Sequence, residues 1–201
     1  MAVKPKETQS ARERLLTAAD QLFYREGVHV VGVDRIAEQA HVTKATLYNT
    51  FGSKEELVRA YLEQHMRRRQ ARIGRILQSN DTPTERILGI FGEIEKLLEG
   101  SDFRGCRFIM ATAESRPGDA SEVVSEEYRA WLRSVFTDLA RDAGAANAKE
   151  LGRRLLLLYD GAAVAARMDQ DRRGAAAATR SAVKALIEAA IPIKHPSRRA
   201  H

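Results

Sequence analysis

The stretch whose reading decides the fold runs from Asp34 to Phe51, DRIAEQAHVTKATLYNTF. Apolar residues recur in it at helical spacing, and a turn at His41 and Val42 divides it into two short helices, residues 34–40 and 44–50. Helices of about seven residues are not stable alone, so this pair must pack on itself and on a preceding helix. Ile36, Ala37, Val42, Leu47 and Phe51 supply the inner face, and Ala37 is small where the two axes would cross steeply, as in a helix-turn-helix. At about 100° per residue, Leu47, Thr50 and Phe51 share one arc of the second helix, which leaves Lys44, Ala45, Thr46, Tyr48 and Asn49 facing outward. A cation, a methyl-sized side chain, a hydroxyl, a phenol and a carboxamide form the inventory for phosphate contacts, thymine-methyl contacts and base-edge hydrogen bonds. Thr43 is placed to cap this helix, whose N-terminus attracts phosphate through its free N–H groups. Lys54, at the start of the next helix, is placed to hold a neighbouring phosphate. The bland alternative is a solvated outer face; the coincidence of short-helix spacing with this chemistry favours DNA.

Outward from that pair the chain reads as all-α, in about nine helices. Helix starts follow from capping pairs: Ser10 with Glu13, Ser53 with Glu56, Thr82 with Glu85 and Asn147 with Glu150, where a short polar side chain accepts from backbone N–H groups while the acid reaches back. Pro83 suits the first turn after Thr82. Stops are expected at Gly27, Gly52, Gly100, Gly144 and Gly174. The spacing predicts helices over residues 10–26, 34–40, 44–50, 54–78, 83–99, 104–114, 121–143, 148–172 and 175–190. Gly89 and Gly92, inside an apolar helical pattern, are expected to mark close packing.

The composition narrows the class. The chain has 201 residues, 44% hydrophobic and 30% charged, which is ordinary globular composition. Its net charge of +6 is uneven, because residues 61–80 alone carry +4, so bulk basicity says little about the helix-turn-helix segment. The single cysteine, Cys106, can form no internal disulfide, and a reducing cytoplasm is the expected location. No secretory leader or membrane-spanning run is read. The five histidines show no paired metal-ligand spacing, and no nucleophile elbow, phosphate loop or dinucleotide fingerprint occurs. No cofactor, no metal and no catalytic residue are expected, and a small helical enzyme is the remote alternative.

The residues now resemble the TetR/AcrR family of bacterial transcriptional regulators. The resemblance is carried by Val33 to Ala40 (VDRIAEQA), Val42 to Tyr48 (VTKATLY) and Phe51 to Leu57 (FGSKEEL). Arg104 to Glu114, RGCRFIMATAE, is similar to the sixth helix of one subgroup. The resemblance implies a homodimer that binds a palindromic double-stranded DNA operator through an N-terminal domain, residues 1–53, and is released when a small-molecule effector enters a C-terminal domain, residues 54–201, which also dimerises. The leading reading is therefore a ligand-responsive transcriptional repressor, and a regulator or activator without small-molecule control is the alternative. Two departures stand out: the family usually has glycine where this chain has His41, so a left-handed residue there carries strain, and Asn49 and Thr50 replace larger basic or aromatic residues.

Within the C-terminal part, Phe91, Ile94, Phe108, Trp131 and Tyr159 are expected to line the effector cavity the resemblance implies, although aromatics at such spacing commonly form plain core. Leu155, Leu158 and Ala162, with Val183, Leu186 and Ile187, are assigned to the dimer interface, because a helix apolar on more than one side needs two partners. Arg67, Arg68, Arg69, Arg72 and Arg75 interrupt the apolar arc of the long helix. Their stems are expected to cover surface, and Arg69 and Arg72, within that arc, are the candidates for carrying a ligand signal. Cys106, among apolar neighbours, is expected to pack rather than to sense redox state.

Overall fold

The structure is a computed structural model whose described residues are 9–169 and 171–191. Among them are nine helices and no strand: α1 (Ala11–Glu26), α2 (Val33–Gln39), α3 (Lys44–Phe51), α4 (Lys54–Ser79), α5 (Pro83–Glu99), α6 (Arg107–Ala113), α7 (Ala120–Asp142), α8 (Ala148–Met168) and α9 (Arg172–Ala190). The predicted capping residues act at their helix starts. Full reciprocal boxes close Ser10 with Glu13 and Thr82 with Glu85, while Ser53 and Asn147 accept from the backbone N–H of Glu56 and Glu150. One stop is corrected: Gly174 lies in the first turn of α9, where its N–H donates to the Asp171 side chain. α8 ends instead at Met168, with Asp169 as its C-cap. Gly100 ends α5 as expected, but with an ordinary negative φ of -59°.

The chain forms two compact units, one of residues 9–68 with 107–126 and one of residues 69–106 with the described residues from 127 onward. In the first, α1, α2 and α3 pack on one another around Leu15, Ala19, Phe23, Ile36, Ala37 and Leu47. The inner face read from sequence is thus the core face. Arg14 of α1 donates from Nε to the Ala40 carbonyl at 3.1 Å, tying α1 to the end of α2. α6 belongs to this unit, with Phe108 and Ala111 buried in it.

In the second unit, α9 lies against α8 and α5. Phe91 stacks on Phe136 at 5.6 Å between ring centroids, and Tyr159 meets both edge-on, at 6.1 and 6.0 Å. Gly152 of α8 lies so close to α7 that a Cβ there would come within 2.9 Å of the Thr137 backbone N. Of the two glycines expected to mark close packing, Gly89 does, against the Ile76 side chain; Gly92 opens onto empty space.

Candidate nucleic-acid interface

The helix-turn-helix is held by its turn. The N–H of Val42 donates to the Ala37 carbonyl and that of His41 to the Glu38 carbonyl, each at 3.0 Å. These two bonds close α2 by placing His41 in the left-handed region, φ 53°, the only non-glycine there among the described residues. Glycine is the usual occupant because a side chain costs energy in this conformation, so the strain expected at His41 is present.

From that turn Thr43 starts α3. Its hydroxyl accepts from the Thr46 N–H at 3.1 Å and shares a 2.8 Å hydrogen bond with the Thr46 hydroxyl. Leu47 is fully buried, and Thr50 and Phe51 are half-buried. Lys44, Ala45, Tyr48 and Asn49 are exposed beside Thr43, with Thr46 half-buried. Tyr48 is a large apolar ring left 43% open, which a soluble surface gains nothing from exposing. The structure therefore brings six of the seven candidate DNA-contacting residues onto one face and its cap.

Sequence reading missed the partners of this face. Lys44 is paired with Asp34 of α2 at 3.0 Å, which holds its ammonium more firmly protonated than usual through a hydrogen bond and charge. Lys54, the seventh candidate, is half-buried and donates to the His29 carbonyl at 3.4 Å. Burial pulls its pKa down, partly offset by the negative charge of Glu114. Glu114 also accepts from the His29 N–H at 3.1 Å.

Asp20 of α1 is a second missed centre. It accepts from His65 of α4 at 2.9 Å and from Arg107 of α6 at 3.1 Å, with Arg68 at 3.7 Å. Burial alone would raise the Asp20 pKa, but the hydrogen bond and charge of His65, followed by Arg107, carry it below the usual carboxylate value. Arg107 also lies 3.6 Å over the Tyr24 ring. These contacts span 45 and 87 residues of chain, and no local pattern encodes them.

The other candidates are distributed as follows. Phe91 and Ile94 border an apolar cleft of about 120 Å³ between α5 and α9, rimmed by the Arg180–Glu95 ion pair. Tyr159 is buried among rings, and Trp131 lies 6.1 Å from Tyr128. Phe108 is in the other unit. Leu155, Ala162, Val183 and Ile187 are buried within their own unit, and Leu158 and Leu186 are half-buried. The apolar surface that α8 leaves uncovered is Leu157, Val164 and Met168, at 62, 38 and 73% exposure. Arg72 is exposed and paired with Glu93 at 3.4 Å, while Arg69 turns inward. Cys106 is half-buried. No helix of the described residues is long and apolar enough to cross a membrane.

Comparison with known proteins matches residues 15–61 to the family described as bacterial regulatory proteins, tetR family. The crystal structure of a TetR-family transcriptional regulator from Streptomyces coelicolor is 32% identical, covers 90% of this chain and 96% of its own, and superposes with a TM-score of 0.87. Among curated proteins, the transcriptional activator FasR of Mycolicibacterium smegmatis is 29% identical over 66% of this chain, and the transcriptional repressor NemR of Escherichia coli is 30% identical over 51%. The matched part spans 60% of the length of FasR and 53% of NemR.

Proposed function

Because the chain belongs to the TetR family of bacterial regulatory proteins, we propose that it is a DNA-binding transcriptional regulator that reads its operator with the exposed face of α3. The observation that carries this reading is the outward set of Thr43, Lys44, Ala45, Tyr48 and Asn49 on a helix whose opposite side is anchored by buried Leu47. Such a helix lies in the major groove, where bases are distinguishable, and its N-terminal residues reach the base edges. The carboxamide of Asn49 pairs with adenine, the methyl of Ala45 and the ring of Tyr48 fit thymine methyl groups, and Lys44 exchanges Asp34 for a phosphate or a guanine edge. Residues 1–53 then act as the DNA-binding domain and residues 54–201 as the effector-binding and dimerising domain.

The operator reading requires two copies. A palindrome presents half-sites about 34–36 Å apart, or a multiple, which one recognition helix cannot span. The exposed stripe of Leu157, Val164 and Met168 is the surface that supports self-association: these residues share one side of α8 and stand open among the described residues. Of the interface residues expected from sequence, Leu158 and Leu186 are half-buried, whereas Leu155 and Val183 are buried.

Effector control is a difference of affinities: a small molecule that binds the DNA-incompetent arrangement better depletes the competent one. Repression is the sign borne by the name of NemR, activation by that of FasR. Selection of duplexes from a random library by the purified protein, followed by a promoter-reporter assay with the selected site, tests the reading. It expects an inverted repeat and lower reporter output; recovery of no sequence above background refutes it.

A further inference from the structure

Arg69 is placed where a surface arginine has no reason to be. It lies on the apolar arc of α4, its Nη1 is cut off from solvent, and that atom has no hydrogen-bond partner among the described residues. The guanidinium carbon sits 6.0 Å from the Tyr159 ring centroid. The nearby acid, Glu93, is held by Arg72 at 3.4 Å. Burial works against the charge on Arg69, yet its surroundings, Tyr159 first and then Tyr128, Cys106 and Glu93, keep it protonated. A buried guanidinium nitrogen without a hydrogen-bond partner lowers stability, and a neutral apolar residue of similar length carries no such cost.

The groups around this cation are matched to an anion. Arginine carries N–H donors and no acceptor, and its planar fork fits a carboxylate. Tyr159 and Tyr128 neighbour the guanidinium, and both phenols are kept protonated by burial. A protonated phenol has an O–H to donate, and the Tyr159 ring is the one that faces the guanidinium at 6.0 Å. Trp131 beside Tyr128, and Phe91 and Phe136 beside Tyr159, make the neighbourhood aromatic. One cation in such a setting suits a singly charged ligand with an apolar body better than a doubly charged phosphate.

We propose that Arg69 anchors a binding site for a small apolar monocarboxylate, with the Tyr159 hydroxyl as second donor to the carboxylate. This gives the effector of the proposed regulator a chemical class and rests on that reading only for its consequence at the operator. The test uses the full chain without DNA and two matched pairs of probes, benzoate with benzamide and octanoate with octanamide. Thermal denaturation and calorimetry are expected to show stabilisation by at least one acid and none by its amide, because only a ligand that favours the native state raises the melting temperature. In carboxylate-free buffer Arg69→Met is expected to melt no lower than the wild type and to lose the acid preference. Arg69→Lys, which keeps the charge and loses the fork, is expected to bind the acid roughly tenfold more weakly.

The proposal is overturned if neither acid outperforms its amide or if the preference survives in Arg69→Met. It is equally overturned if that variant melts well below the wild type or fails to fold while Arg69→Lys binds normally, which would make the guanidinium structural. Operator binding is measured on the same preparations. In the wild type, no acid preference with operator binding intact refutes only the carboxylate site; an acid preference without operator binding refutes only the regulator reading.

Discussion

Replacing His41 by glycine is expected to stabilise the helix-turn-helix. The residue holds φ 53° because two backbone hydrogen bonds, from His41 to Glu38 and from Val42 to Ala37, require a left-handed residue between α2 and α3. For a residue with a Cβ that conformation costs about 1–2 kcal/mol. Glycine removes this cost but surrenders roughly 0.5–1 kcal/mol of additional backbone entropy on folding. His41 is exposed, so little packing is lost with its side chain. The balance is a gain of about 0–1.5 kcal/mol, roughly 0.75 kcal/mol at the middle of both ranges. Urea denaturation at neutral pH measures it as a higher midpoint at unchanged slope. His41→Ala keeps the Cβ and the strain, and is expected within about 0.5 kcal/mol of the wild type. A glycine variant no more stable than the alanine variant would refute the expected gain by showing that the left-handed strain at His41 does not exceed the entropy glycine surrenders.

Three further substitutions probe other parts of the molecule. Gly152→Ala pushes a methyl to within 2.9 Å of the Thr137 backbone N and is expected to cost about 1–3 kcal/mol in denaturant melts. Acidification is expected to weaken the unit that contains Asp20 and His65, as followed by amide exchange. Burial depresses the His65 pKa, so its contribution is complete above the unfolded value of about 6.5 and is lost as pH falls toward the folded value. Asp20, also depressed, adds a second loss below about pH 3.9, and Asp20→Asn is expected to remove that lower step. Leu157→Glu, on the uncovered stripe of α8, is expected to convert a dimer to a monomer in sedimentation without lowering the helix content seen by circular dichroism.

Helical spacing and capping chemistry made the nine helices legible, because each signal is local: Ser10 with Glu13 and Thr82 with Glu85 lie three residues apart in both sequence and structure. The face of α3 was legible for the same reason, since one buried leucine fixes the orientation of eight residues. Gly174 misled because glycine before an alanine-rich stretch can equally occupy a first turn, where the Asp171 cap decides. What local reading could not supply were pairings across the chain, such as Lys44 with Asp34, Lys54 with the His29 carbonyl and Asp20 with Arg107. The assignments on α8 and α9 identified apolar residues but could not tell Leu155, covered by its own unit, from Leu157, left open. Arg69 was visible as a charge in an apolar arc, and only the fold shows that its end is enclosed.

Whether α3 reads DNA sequence is decided by the ratio of affinities for a selected duplex and its scrambled counterpart, at fixed salt near 150 mM, in wild type and Tyr48→Ala. A ratio of roughly 10³ or more is expected for the wild type. A fall of roughly tenfold or more is expected in Tyr48→Ala, with oligomeric mass and melting temperature unchanged, if α3 is the reading helix. A wild-type ratio near one, or a ratio that survives the simultaneous replacement of Lys44, Tyr48 and Asn49 by alanine, would contradict that role.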